Sequence, residues 1–182
     1  MYIIKEKDFN VNQWSGGTTT ELFIYPLEAT YAERNFDFRI SSATVESEES
    51  SFTDFSGYLR KLMILKGEIN LQIEDKEIKL SPYQEFAFSG SDKVHSFGKC
   101  VDFNIIYKPE HTAKAEYIDK MWKTITTKWV IVYNLEAVIS VKVDGIIMEV
   151  KEKELLVIDK DSKERDIQIL GEKIAVIIAI ID

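Results

Sequence analysis

Two arginines stand in stretches that otherwise read as apolar strands. Arg39 falls within Phe36-Asp37-Phe38-Arg39-Ile40-Ser41-Ser42-Ala43, and Arg60 follows Phe55-Ser56-Gly57-Tyr58-Leu59 and precedes Leu62-Met63-Ile64-Leu65. A guanidinium in such surroundings must find an acceptor, because a buried cation without one is costly. The acceptor is either an internal carboxylate such as Glu21, Asp37 or Asp102, forming a structural ion pair, or a ligand carboxylate held in a bidentate fork. Period two places Asp37, Arg39 and Ser41 on one face of their strand and Phe36, Phe38, Ile40 and Ser42 on the other. A second polar concentration is Trp14-Ser15-Gly16-Gly17-Thr18-Thr19-Thr20-Glu21. Adjacent glycines open the backbone to φ > 0 and leave amides accessible, Trp14 offers a flat apolar wall, and the threonines supply hydroxyls. Together these residues suit a donor-lined pocket for a small polar or anionic metabolite. The plainer reading of the Gly16-Gly17 pair is a hairpin turn.

Other chemistries find less support. A metal-dependent cupin needs several imidazoles and a carboxylate around one ion, typically beginning with two histidines one residue apart. The chain has 2 histidines, His95 and His111, widely separated, so no metal and no cofactor is expected, although an all-carboxylate site for a hard cation stays open. No Gly-rich phosphate loop is present. The formal net charge of −8 argues against nucleic acid, whose backbone demands clustered Lys and Arg. Cys100 is the only cysteine, which excludes an intrachain disulfide framework and fits a reducing compartment. It precedes a strand-like run and reads as a small buried hydrophobe rather than a catalytic thiol. The N-terminus lacks a signal peptide's apolar core, and Ile174–Ile181 is far shorter than the roughly 20 residues that span a bilayer. The expectation is a soluble cytoplasmic protein with no membrane partner.

The elements that must position these groups are strands almost throughout. Ile69, Leu71 and Ile73 alternate with Asn70, Gln72 and Glu74, and after a turn Ile78 and Leu80 resume the pattern. A similar hairpin recurs about 70 residues later, with Ile139, Val141 and Val143, a turn at Gly145, and a return through Ile147-Met148-Glu149-Val150. Leu65–Leu71 aligns with Leu135–Val141, and Phe86-Ala87-Phe88 matches Leu155-Leu156-Val157-Ile158 in offset. Two β-domains of one plan follow, residues 1–108 and 109–182, with strands exchanged between halves and a connection within 108–128. The run Ile174–Ile181 is apolar on both alternating faces and suits a strand in a sandwich core or at an interface. No segment sustains a helical apolar stripe over three turns. The fold class expected is all-β, a pair of sandwiches or barrels.

Four motifs in order resemble the HutD/Ves family: Trp14 to Glu21, Phe36 to Ala43, Phe52 to Arg60 running into Leu62-Met63-Ile64-Leu65-Lys66-Gly67, and Asp102-Phe103-Asn104. The likeness is strong over the first 107 residues and rests on β pattern and spacing beyond them. It implies two cupin-like β-barrels in one chain, a bicupin of jelly-roll type lacking metal-binding histidines, and a regulatory association with bacterial histidine utilisation through a small formylated or carboxylate metabolite. It nominates Trp14, Gly16, Gly17, Thr18, Thr19, Glu21, Arg39, Ser41, Arg60, Asp102 and Asn104 as the pocket or its support. This chain departs from the family at Ser15 and at Phe88-Ser89-Gly90-Ser91-Asp92, which alters two pocket walls. Two other classes compete. One is a cofactor-independent isomerase or hydrolase with Glu21 or Asp102 as base. The other is an interaction module that forms a homodimer through Ile174–Ile181.

Overall fold

The computed structural model describes residues 1–182. Strands occupy most of the chain, and the helical structure is a single 3-10 turn at Glu6–Asp8. The reason is visible in the runs themselves: apolar residues recur every second position, and β-branched Ile, Val and Thr pack well on a pleated surface.

The chain divides into two compact units, residues 10–112, and residues 1–9 together with 113–182. The division falls at 112/113 rather than at 108/109, and the first nine residues go with the C-terminal unit. They do so because β1 (Tyr2–Ile4) is zipped to a strand more than 150 positions away.

Unit 10–112 contains β2 (Asn10–Trp14), β3 (Gly17–Tyr25), β4 (Phe38–Val45), β5 (Glu49–Ser51), β6 (Leu59–Gly67), β7 (Ile69–Ile73), β8 (Lys76–Leu80), β9 (Glu85–Ser89), β10 (Val94–Phe97) and β11 (Cys100–Tyr107). They form a six-stranded antiparallel sheet in the order β2-β3-β4-β11-β6-β9 and a four-stranded sheet in the order β5-β10-β7-β8. Val45, Leu62, Ile64, Phe88 and Cys100 from the first sheet and Ile69, Leu71, Leu80 and Val94 from the second make one core. A smaller core of Ala29, Phe36, Phe55, Tyr58 and Ile106 lies beside it.

The other unit adds β12 (Ala113–Ile118), β13 (Trp122–Thr126), β14 (Trp129–Asn134), β15 (Ile139–Val143), β16 (Ile146–Val150), β17 (Leu155–Ile158), β18 (Arg165–Leu170) and β19 (Val176–Ile181). Its sheets run β1-β17-β14-β19-β12 and β13-β18-β15-β16. Adding eight to each label of β4-β11-β6-β9 and β5-β10-β7-β8 reproduces the order in the second unit, so the same pairing plan occurs twice. The two aligned hairpins, 69–80 and 139–150, occupy corresponding places in it. The interior of this unit is almost wholly aliphatic, with Val130, Val132, Ile139, Val141, Leu156, Ile167, Ile169, Val176 and Ile178 among its members. Each such side chain contributes about 1.5–3 kcal/mol on burial. Asn134 is the buried polar exception, and it donates to the carbonyls of Ala137 (2.8 Å) and Val150 (2.9 Å).

Two expectations need correction. The strand pairing does not close two barrels, since each unit consists of two open sheets packed over a shared core. Most of 108–128 is not a connection, because β12 and β13 fall within it and pair with β19 and β18. Of the two places open to Ile174–Ile181 the structure shows the core: β19 lies between β14 and β12, with every residue except Ile180 buried.

Candidate functional site

Strand register assembles the site. Across the six-stranded sheet, Arg39 on β4 is level with Ile106 on β11, which is level with Arg60 on β6 and Phe88 on β9. The next row on the same face is Glu21 on β3, Ser41, Asn104 and Leu62, and the row after that is Thr19, Ala43, Asp102 and Ile64. Four strands thus carry Glu21, Arg39, Ser41, Arg60, Asp102 and Asn104 onto one face. Two β-bulges interrupt the ladders, one between Glu21 and Phe23 and one at Val101/Asp102. In the first the extra residue is Leu22, next to Glu21 on β3; in the second it is Leu65 on β6, across the ladder from Asp102.

Arg39 donates from Nε to a Glu21 carboxylate oxygen at 2.6 Å and from Nη1 to Ser41 Oγ at 3.2 Å. Its side chain is 5% exposed and that of Glu21 14%, so the pair is largely desolvated. The Tyr31 ring lies across the Arg39 guanidinium, 4.5 Å from Cζ to the ring centroid. Asp37, the other carboxylate near Arg39 in sequence, instead accepts from Lys108 Nζ at 2.8 Å.

Arg60 is less completely matched. Its Nη1 reaches the Thr53 carbonyl at 3.4 Å. With the Asn104 amide turned so that its nitrogen donates to the Lys61 carbonyl (3.2 Å), the Asn104 oxygen accepts from Arg60 Nη2 at 2.8 Å. The guanidinium lies over the rings of Phe52 (4.7 Å) and Phe88 (5.1 Å). Its Nε is buried and has no partner. Burial lowers the Arg60 pKa to about 10 against the opposing pull of Asp102, so the group stays cationic at neutral pH.

Asp102 is buried, and its Oδ1 accepts from the Ala43 backbone N–H at 3.1 Å. Burial pushes its pKa up to about 6, while the Ala43 hydrogen bond and the Arg60 charge act in the other direction. A carboxyl that titrates there can exchange a proton near neutrality. The face therefore presents two guanidiniums, two carboxylates, a hydroxyl and an amide, held by strands and shielded by aromatic rings. Such a group can bind a small polar or anionic molecule through charge-assisted hydrogen bonds.

The remaining nominated residues lie elsewhere. Trp14, Gly16, Gly17 and Thr18 line an open depression of about 290 Å³ with Gln13, Ser15, Glu46 and Ser47. Trp14 is exposed, and its ring lies so close to Gly16 that a Cβ there would fall 2.1 Å from it. Gly17, at φ +149°, approaches the Thr44 carbonyl so closely that a Cβ would sit 1.9 Å from the oxygen. The Gly16 carbonyl accepts from the amides of Glu46 (2.8 Å) and Ser47 (3.2 Å). The glycines are thus accounted for by chain packing at the β2–β3 hairpin. Thr19 shares the face of Glu21 by register.

Tyr31, Phe52, Phe88 and the Thr53 carbonyl are the participants that sequence reasoning missed. Phe52 and Phe88 fall within the family motifs, but nothing in their spacing shows that their rings meet a guanidinium. No group of three or more His, Cys, Asp or Glu is arranged to hold a metal ion. His95 bonds Ser51 Oγ at 2.9 Å, and His111 packs edge-on to Phe38. No helix is long and apolar enough to cross a membrane.

A family model described as HutD matches residues 6–176. The chain belongs to the HutD family. No curated protein matches it. Among solved structures, HutD from Pseudomonas fluorescens SBW25 is similar at 26% identity and a TM-score of 0.81, over 99% of this chain and 97% of that one. A conserved protein of unknown function from Pseudomonas aeruginosa PAO1 superposes with a TM-score of 0.90 at 23% identity, over 100% of this chain and 98% of that one. A cupin 2 conserved barrel domain protein from Leptotrichia buccalis shares the fold at 12% identity and a TM-score of 0.61, over 100% and 96% of the two chains. This HutD-family chain is therefore all-β and cupin-like.

Proposed function

We propose that this HutD-family protein is a metal-independent bicupin that binds a small polar or anionic metabolite on the Arg39–Arg60 face of unit 10–112, with a regulatory role in histidine utilisation. The observation that carries the reading is Arg60: its Nε is a buried donor with no acceptor. Leaving a buried donor unpaired costs about 1–3 kcal/mol, and more when it is charged. That such a group is kept next to Asn104 supports a reading in which its acceptor comes from outside. The duplicated strand order supports the bicupin reading, and family membership supports the metabolic setting. The aliphatic interior of the second unit offers no comparable polar face, which supports the first unit as the place of binding.

Calorimetric titration of N-formylglutamate, glutamate, urocanate, histidine and formate, with and without chelator, tests this. One probe should bind saturably and insensitively to chelator, and Arg60→Met should weaken it at least tenfold while the variant still melts cooperatively. Arg60→Met is preferred to Arg39→Ala because breaking the buried Arg39–Glu21 pair would strand a carboxylate at about 3–5 kcal/mol. Silence from all five probes, or equal affinity in the variant, would overturn the proposal.

A further inference from the structure

The Arg39 guanidinium is covered by one side chain that belongs to no strand. Arg39 is 4% exposed, whereas Tyr31, whose ring lies over it, is 40% exposed, so the ring is the layer between the cation and solvent.

The segment that carries Tyr31, residues 27–35, is built as a self-bonded cap. Thr30 N–H donates to Asn35 Oδ1 (2.9 Å), Glu33 N–H to Thr30 Oγ1 (3.2 Å), Arg34 N–H to the Thr30 carbonyl (3.2 Å), and Asn35 Nδ2 to Glu33 (3.1 Å). Its residues are exposed except Ala29. It is anchored at Ala29, which is buried with Phe36, Phe55, Tyr58 and Ile106 and whose N–H donates to the Pro26 carbonyl (3.0 Å). Beyond that anchor its ties are the Tyr58 hydroxyl on the Arg34 carbonyl (2.6 Å), and Tyr31 and Arg34 against the Phe55 ring at 5.2 and 4.7 Å. Apart from Ala29 its residues are exposed, so the Tyr31 side of the segment can turn about that anchor at low cost.

Building on the binding reading above, we infer that Tyr31 is the gate of this site: its ring lies between the Arg39 guanidinium and solvent, and it turns aside with the exposed part of the 27–35 segment to admit the ligand. The ring holds the guanidinium by cation–π attraction when the site is empty. With the ring turned aside, an acceptor group from a ligand reaches Arg39 Nη2, which the Glu21 and Ser41 bonds leave unused, and bonds to it in the guanidinium plane through charge-assisted hydrogen bonds. Tyr31 is therefore the residue that sets which molecules enter, and a smaller side chain there widens access.

Phenylglyoxal, a guanidine-specific reagent, tests the gate without any metabolite. Mass spectrometry of the full chain should show Arg39 modified slowly in the wild type and at least tenfold faster in Tyr31→Ala, with Arg60 and the exposed Arg34 unchanged. Tyr31→Phe, which keeps the ring, should behave as wild type; Tyr31→Leu provides a second ring-free variant should the alanine chain not fold. Equal Arg39 rates in wild type and the ring-free variants would overturn the gate. Failure of the binding reading registers differently, as absence of formate or formylglutamate binding in wild type and in the open variant alike. If binding holds, the ring-free variants should also bind the probe with a faster association rate.

Discussion

Asp102 stages a direct contest between two electrostatic effects, and Asp102→Asn measures which wins. Burial raises the carboxyl from its usual 3.8 to about 6, while the Ala43 amide and the Arg60 charge pull it back. With the native value above the unfolded one, the native state holds a proton that the unfolded chain releases. The associated stability is fully present below the unfolded value near pH 4 and is lost as pH rises through about 6. A rise of that size corresponds to about 3 kcal/mol in total, with a slope of about 1 kcal/mol per pH unit near pH 5. Arg60, held at about 10, does not titrate in this window. Asparagine keeps an oxygen for the Ala43 N–H and cannot ionise, so other carboxylates cancel when the variant is subtracted from wild type. Urea unfolding at pH 4, 5, 6 and 7 should give a wild-type minus variant stability that falls by about 2.4 kcal/mol from the acidic to the neutral end, most of the total. A flat difference would show that burial is offset by Arg60. A difference that grows with pH would show that Arg60 dominates and that the buried carboxyl is held below its usual range.

Gly17→Ala should destabilise more than Gly57→Ala in thermal melts, because both positions have positive φ but an added Cβ meets the Thr44 carbonyl only at Gly17. Backbone strain of about 1–3 kcal/mol is common to both and the clash adds to one, so equal melting shifts would refute the close approach. Cys100 is buried, and burial pushes its thiol up to about 12. Iodoacetamide at pH 8 should therefore alkylate it far more slowly in native protein than in concentrated guanidinium, and a native rate like that of a free thiol would show it accessible.

The amino-acid sequence by itself determined what depends on near neighbours. Alternation at Ile69–Ile73 and Ile139–Val143 made two hairpins with one buried face, and the structure contains both. Period two placed Arg39 and Ser41 on one face, and a single side-chain hydrogen bond now joins them. Glu21 was already among the acceptors open to Arg39, because a guanidinium in an apolar strand needs a carboxylate within reach.

Tertiary structure decided the rest, since an antiparallel register between strands distant in sequence is fixed by ladders and bulges that no local pattern encodes. It set Arg60 level with Ile106 and Phe88, brought Asn104 to its Nη2, and left its Nε without an acceptor. It took Glu116-Tyr117-Ile118, within the stretch read as a connection, into β12 through pairing with β19. It sent the first strand to β17, and of the core and the interface open to the run ending at Ile181 it selected the core. It also separated Trp14 and its glycines from the arginine face and laid Tyr31, from a turn with no motif, over Arg39. Strand chemistry was legible because it repeats every two residues; the polar face was not, because its six members come from four strands that meet only when the sheet closes its ladders.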